Sequence, residues 1–134
     1  MAKGIKLGPI LTVLIFAVII YLVYSYFNSP IHAEPSLRIS VGEARSRRFG
    51  FIVDVRSPKE RELLGYYPNS VPISMERLSK EVPLDISNKN MWILVYSNGD
   101  DRAATAAEIL YRMGYPNVRY IKETYYSLMP GASY

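Results

Sequence analysis

Hydrophobic positions follow two different patterns along the chain. From Leu7 to Phe27 no residue is charged, and Ile, Leu, Val, Ala and aromatic side chains occupy every face; beyond Leu37, short apolar runs alternate with mixed segments. A helix over 7–27 is roughly 30 Å long at about 1.5 Å per residue, enough to cross the hydrocarbon core of a bilayer. Tyr21, Tyr24, Tyr26 and Phe27 crowd one end, as in an interfacial aromatic belt. Pro9 falls in the first turn, where a missing N–H does least harm. Ile31-His32-Ala33 has the look of a cleavage site, but the apolar region is long for a signal peptide. A remaining domain of about a hundred residues could hardly wrap a helix that is apolar all round. The pattern predicts an N-terminal flank over 1–6, a single-pass transmembrane helix over 7–27, a linker over 28–36 stiffened by Pro30 and Pro35, and one soluble domain over 37–134.

Inside that domain, Phe51–Asp54 and Ile93–Val95 are too short and too β-rich for helix, so they read as buried parallel strands. A helix over Val41–Arg48 is predicted from Ser40 as N-cap with Glu43 at the capping-box position. Ser57 and Pro58 mark a second helix start. From Arg102 the spacing of Ala103, Ala106, Ala107, Leu110 and Met113 is helical, and Gly114 is a good stop. Strands and helices alternating at roughly 20–25-residue spacing imply an α/β fold, a small parallel sheet covered by helices.

Ser97-Asn98-Gly99-Asp100-Asp101-Arg102 lies between a strand end and a helix start, where backbone N–H groups converge into a ready anion site. This stretch resembles the active-site loop of rhodanese-like domains, in which a cysteine opens a six-residue loop closed by arginine or a similar residue. Asp54-Val-Arg56-Ser-Pro-Lys-Glu60 is similar to the family's first signature. Gly65-Tyr66-Tyr67-Pro68-Asn69-Ser70-Val71-Pro72-Ile73 resembles its second, with Tyr66 in place of a histidine and Asn69 in place of a glycine whose backbone twist Asn tolerates. Gly114-Tyr-Pro-Asn117 and the strand Val118–Ile121 fit its last helix end and strand, although Lys122-Glu123-Thr124 replaces the family's paired glycine. The resemblance spans about Ile39 to Pro130 and implies a rhodanese-like fold.

It also implies a lost activity. The family's cysteine carries a persulfide, which needs a polarisable, low-pKa thiolate. Ser97 stands in that place, and the chain has no cysteine at all. The family's phosphatase cousins need both a cysteine and a loop one residue longer. Serine as nucleophile would need a base beside it, and His32, the single histidine, belongs to the linker. Asp100 and Asp101 would oppose an anionic substrate and are read as candidates for capping the following helix. Asp54 and Arg56 read as structural groups at a strand end, and Arg102 is expected to pair with Asp100 or with an anion.

Charge narrows the partners only a little. The formal net charge is +4 with a pI near 9.3, too modest to point to nucleic acid. Arg45, Arg47 and Arg48 cluster on the first predicted domain helix and are read as a solvated face, with a basic surface facing lipid headgroups or an acidic partner as the alternative. Lys3 and Lys6 set against Arg38 and Arg45 give a weak bias toward an N-terminus on the cytoplasmic-type side. No metal-ligand spacing, phosphate-binding glycine motif or cofactor motif is present. The expectation is a membrane-anchored, catalytically inactive domain that engages other protein subunits. It would serve as an accessory part of a larger membrane-associated assembly, such as an organellar complex or a membrane-containing virion. Twelve tyrosines favour contact surfaces, with Tyr66, Tyr67, Tyr125, Tyr126 and Tyr134 as candidates. The alternative is an anion- or phosphopeptide-binding regulatory module holding its ligand with Ser97, Gly99 and Arg102.

Overall fold

A computed structural model describes residues 4, 6–28 and 36–132. His32, Pro30, Pro35 and the candidate Tyr134 lie outside the described residues. The chain divides into two units, 1–35 and 36–134.

The first unit holds helix α1, Leu7–Asn28, one residue longer than its sequence pattern predicts. Its 22 residues make it long and apolar enough to cross a membrane, and none of them is buried. Thr12 returns its hydroxyl to the Gly8 carbonyl at 2.8 Å, so this polar side chain is satisfied within the helix.

The second unit is a parallel sheet covered on both faces. Its strands are β1 (Phe51–Asp54), β2 (Val71–Pro72), β3 (Ile93–Tyr96) and β4 (Val118–Tyr120), in the order β2-β1-β3-β4. Val53 pairs with Val95 and Asp54 with Tyr96, and Leu94 faces Arg119 across the next ladder. Leu37–Ile39 extends the sheet past β4, with Ile39 N–H donating to the Tyr120 carbonyl at 3.0 Å.

All four residues of β3 are buried because both faces are packed. On one face Ile93, Val95 and Val53 meet α4 (Leu78–Asp85) and α5 (Arg102–Arg112) through Leu78, Val82, Ala106, Ala107 and Leu110. On the other, Leu94 and Tyr96 meet Ala44 of α2 (Val41–Ser46) and Leu128 of the 3-10 turn Tyr125–Leu128. Alternation along β3 therefore feeds two separate cores.

Local chemistry sets the element ends. Ser40 Oγ accepts from Glu43 N–H at 3.1 Å and starts α2, but Glu43 turns its carboxylate to Arg47 at 3.6 Å. The helix stops at Ser46, so Arg47 and Arg48 lie beyond it, not on its face as the sequence suggested. Helix α3 (Pro58–Leu64) carries a full capping box between Ser57 and Glu60. Asn69 adopts φ +65°, the twist its position demands. Helix α4, with Pro83 inside it, has no clear sequence signal.

Candidate functional site

Parallel strands bring their C-terminal ends to one edge, and the loops leaving β1 and β3 meet there with α3. At the bottom lies Asp54, fully buried with Arg56 beside it. Arg56 Nε and Nη2 donate to the two Asp54 oxygens at 2.8 Å each, a bidentate pair. Nη2 also reaches the Gly65 carbonyl at 2.7 Å, and Nη1 reaches Asn98 Oδ1 at 3.1 Å. From α3, Arg61 donates to Asp54 Oδ2 at 3.0 Å and to Ser70 Oγ and O at 2.9 and 2.8 Å. Tyr96, whose side chain points away from the α4–α5 core, donates its hydroxyl to Asp54 Oδ2 at 3.1 Å and accepts from Tyr67 N–H at the same distance.

Burial alone would raise the Asp54 carboxyl, but the Arg56 side chain and backbone N–H override it and hold the carboxyl below the usual carboxylate range. The same hydrogen bond raises Arg56 against the opposing effect of burial. Burial pushes the Tyr96 phenol up. Asp54 and Arg56 are thus a satisfied structural pair that ties β1 to the β3 loop and to the turn at Gly65.

Above this layer, Arg102 at the start of α5 meets two carboxylates. Nη1 and Nη2 donate to Glu60 Oε2 and Oε1 at 2.8 and 2.7 Å. Nε and Nη2 donate to Asp100, the latter at 2.8 Å. Asn98 joins the two layers, donating from Nδ2 to Glu60 Oε1 at 3.3 Å. The Arg102 hydrogen bond and the Ser57 backbone N–H hold Glu60 far below its ordinary range. Glu60, followed by Asp100, pushes Arg102 up. Arg102 also holds Asp100 low, against burial, and the nearby Ser97 hydroxyl lowers it a little further.

The sequence candidates come together unevenly. Asp100 Oδ1 accepts the Arg102 backbone N–H at 3.0 Å, so it caps the start of α5 from one position outside. Asp101 occupies the N-cap position itself, but its backbone is helical and its side chain makes no capping bond. That side chain is 95% exposed, 4.0 Å from Lys122. Gly99 has φ +78°, which lets the loop turn under Lys122. Ser97 is 1% exposed, and its Oγ has no hydrogen-bond partner.

Of the tyrosine candidates, Tyr66 and Tyr126 are exposed at 50% and 66%. Tyr67 and Tyr125 are half-buried, each packed in part against the second core. Tyr125 also donates its hydroxyl to the Leu64 carbonyl at 3.1 Å. Sequence reasoning did not single out Arg61, Ser70 or Tyr96 as site residues. Only Tyr96 carried a signal, since a tyrosine ending an otherwise aliphatic buried strand needs a partner for its hydroxyl.

Chemically, the geometry shows no nucleophile–base pair: Ser97 Oγ makes no hydrogen bond, and the carboxylate near it, Asp100, is held low by Arg102 and is therefore a weak base. As an anion cradle it is compromised. The Nε, Nη1 and Nη2 atoms of Arg102 all already donate to carboxylates, and Glu60 and Asp100 together outweigh its single charge.

The rhodanese-like domain family model matches residues 40–128. Comparison with curated proteins gives no match. Among solved structures, a rhodanese-like domain of an Anabaena protein is 24% identical with a TM-score of 0.51, over 55% of this chain and 83% of that one. A thiosulfate sulfurtransferase from Pseudomonas aeruginosa is 24% identical with a TM-score of 0.53, over 65% of this chain but 17% of that longer one. A Rhodopseudomonas palustris protein of unknown function, described as a possible tyrosine phosphatase, is 20% identical with a TM-score of 0.55, over 93% and 91% of the two chains. At these identities the structural likenesses speak for the fold alone.

Proposed function

The chain belongs to the rhodanese-like domain family, and from that premise we propose that it is a membrane-anchored, catalytically inactive member that binds other proteins. The observation that carries the inactive part is Ser97 in the cysteine's place, in a chain with no cysteine. Its oxygen cannot carry a transferable sulfur, and it makes no hydrogen bond to a base. The carboxylates of Glu60 and Asp100, both bonded to Arg102, further disfavour an anionic sulfur donor. Anchoring is supported by the length and apolar surface of α1. A binding role is supported by the exposed Leu63, Leu64, Tyr66 and Tyr126, near the point where the Tyr125 hydroxyl meets the Leu64 carbonyl.

The test is sulfur transfer from thiosulfate to cyanide by the full chain in detergent. No turnover above a mock-purified preparation is expected, and clear turnover would sink the proposal.

One observation favours a second reading, an anion- or phosphopeptide-binding module: the unpartnered Ser97 hydroxyl beneath the loop. It ranks lower because Arg102 is already engaged. A bound anion would raise the Tm by stabilising the folded state. Phosphate at millimolar concentration is expected to give no saturable shift. A saturable shift that disappears in Arg102→Ala would promote the second reading over the first.

A further inference from the structure

The end of the sheet opposite the loop has a different chemistry. The segments leading into β1, β3 and β4, residues 47–50, 86–92 and 113–117, carry Arg47, Arg48 and Lys89 and not one carboxylate. The segments leaving β1, β3 and β4, residues 55–57, 97–101 and 121–124, carry Asp100, Asp101 and Glu123 against Arg56 and Lys122. The domain is therefore basic at the amino ends of its strands and slightly acidic at their carboxyl ends.

An aromatic group marks the centre of the basic end. Trp92, 37% exposed, lies edge-on to Phe49 with ring centroids 6.4 Å apart. The Arg47 and Arg119 guanidinium carbons sit 5.3 and 5.4 Å from its ring centroid. Arg47, Arg48 and Trp92 line a shallow cleft of about 380 Å³. Among the described residues the carboxylate paired with this group is Glu43, 3.6 Å from Arg47 in a pair that is about half exposed on both sides; such a pair is weak and easily exchanged.

The chain enters the domain at the same end. Leu37–Ile39 runs parallel to β4, with Arg38 level with Tyr120, so the residues before it approach from the level of Val118, where β4 begins. Seven residues, 29–35, separate Asn28 from Ser36, a span of at most about 28 Å.

The geometry points to a lipid-docking face. Arg47, Arg48 and Trp92 hold the amino end of the sheet against the anionic headgroups of the bilayer that α1 occupies, leaving the Ser97–Arg102 edge turned away from it. This rests on the anchoring reading above. Arginine supplies the charge for anionic headgroups, and tryptophan is the side chain favoured at headgroup depth. An acidic protein would suit the arginines, but the entry of the chain at this same end favours the membrane.

Trp92 is the only tryptophan of the chain and so reports on the face directly. The full chain would be placed in nanodiscs of phosphatidylcholine alone or with about 30% phosphatidylglycerol, an anionic surface of the kind that attracts basic segments. Quenching of Trp92 by the neutral quencher acrylamide is then compared within each variant. We expect weaker quenching in the anionic discs, a difference that vanishes near 1 M salt, where the Debye length is about 3 Å. In R47Q/R48Q the docked-to-undocked ratio should fall about 25-fold, about five-fold per arginine, leaving equal quenching in both discs. Equal quenching of the unmodified chain in the two lipids overturns the proposal, including the case in which the face awaits an acidic protein. The anchor is read separately: both variants should resist carbonate extraction from vesicles. If both are extracted, the anchor fails; if both resist and quenching does not differ, the docking face alone fails.

Discussion

Removing the Asp54 carboxylate should be the most damaging single change in the site, and not for catalytic reasons. The carboxylate is fully buried and receives Arg56 through Nε, Nη2 and its backbone N–H, and also Arg61 and the Tyr96 hydroxyl. In Asp54→Ala the Arg56 guanidinium keeps the Gly65 carbonyl and Asn98 Oδ1 as hydrogen-bond acceptors and the Tyr96 and Tyr125 rings beside it, but becomes a buried charge without a counterion. Breaking a buried pair from one side costs about 3–5 kcal/mol, against a total stability of about 5–15 kcal/mol for a domain. At about 4–8 °C per kcal/mol for a domain of this size, the Tm should fall by at least about 12 °C. Asp54→Ala/Arg56→Met should be less damaging than the two single changes added together, because it removes the orphaned charge as well. Thermal unfolding of the full chain in mild detergent, followed through Trp92, gives the Tm of all three variants, and urea unfolding gives the free energies for the additivity test. A Tm loss under about 4 °C, or strict additivity in the double variant, would refute the reasoning. The pH dependence has a fixed sign. Asp54 is held low in the folded state, so its contribution is complete above the unfolded carboxylate value of about 4 and is lost as pH falls below it.

Gly65→Ala should cost about 1–3 kcal/mol, because φ +76° with ψ 177° lies in a region almost reserved for glycine. The new Cβ would also stand 2.5 Å from the Tyr125 hydroxyl. Adding Tyr125→Phe should relieve the contact but not the backbone strain, and a Tm within about 2 °C of the unmodified chain would contradict both. The full chain should remain in the membrane fraction after carbonate washing, while the fragment from Ser36 onward should be soluble and folded; release of the full chain would mean that α1 does not span.

Those elements whose chemistry is local were legible in the sequence. Ser57, Pro58 and Glu60 announce α3 through a capping box that forms as written, and the change of period at Arg102 marks α5. The rhodanese-like fold followed from motifs in the right order. What was not legible depends on distant partners. Tyr67 and Tyr125 look like loop residues, but the open side of Tyr96 draws them inward. Arg61 reaches Asp54 and Ser70 only because α3 folds back over β1, a convergence no spacing rule encodes.

The place of β3 in the sheet also bears on synthesis. Its neighbour β1 precedes it by about forty residues, and Asp54 and Tyr96, which close the pair, are 42 positions apart. At roughly 5–20 residues per second, β1 waits at least about 2 s on the growing chain before its central partner emerges. During that interval the edge of Phe51-Ile-Val that β3 will cover is unpaired, an apolar strand edge of the kind that aggregates. The residues around it are suited to guard it. Arg47 and Arg48 stand just before it, and Arg56 and Pro58 just after, placing charge and a strand breaker at the two ends until Ile93–Tyr96 arrives.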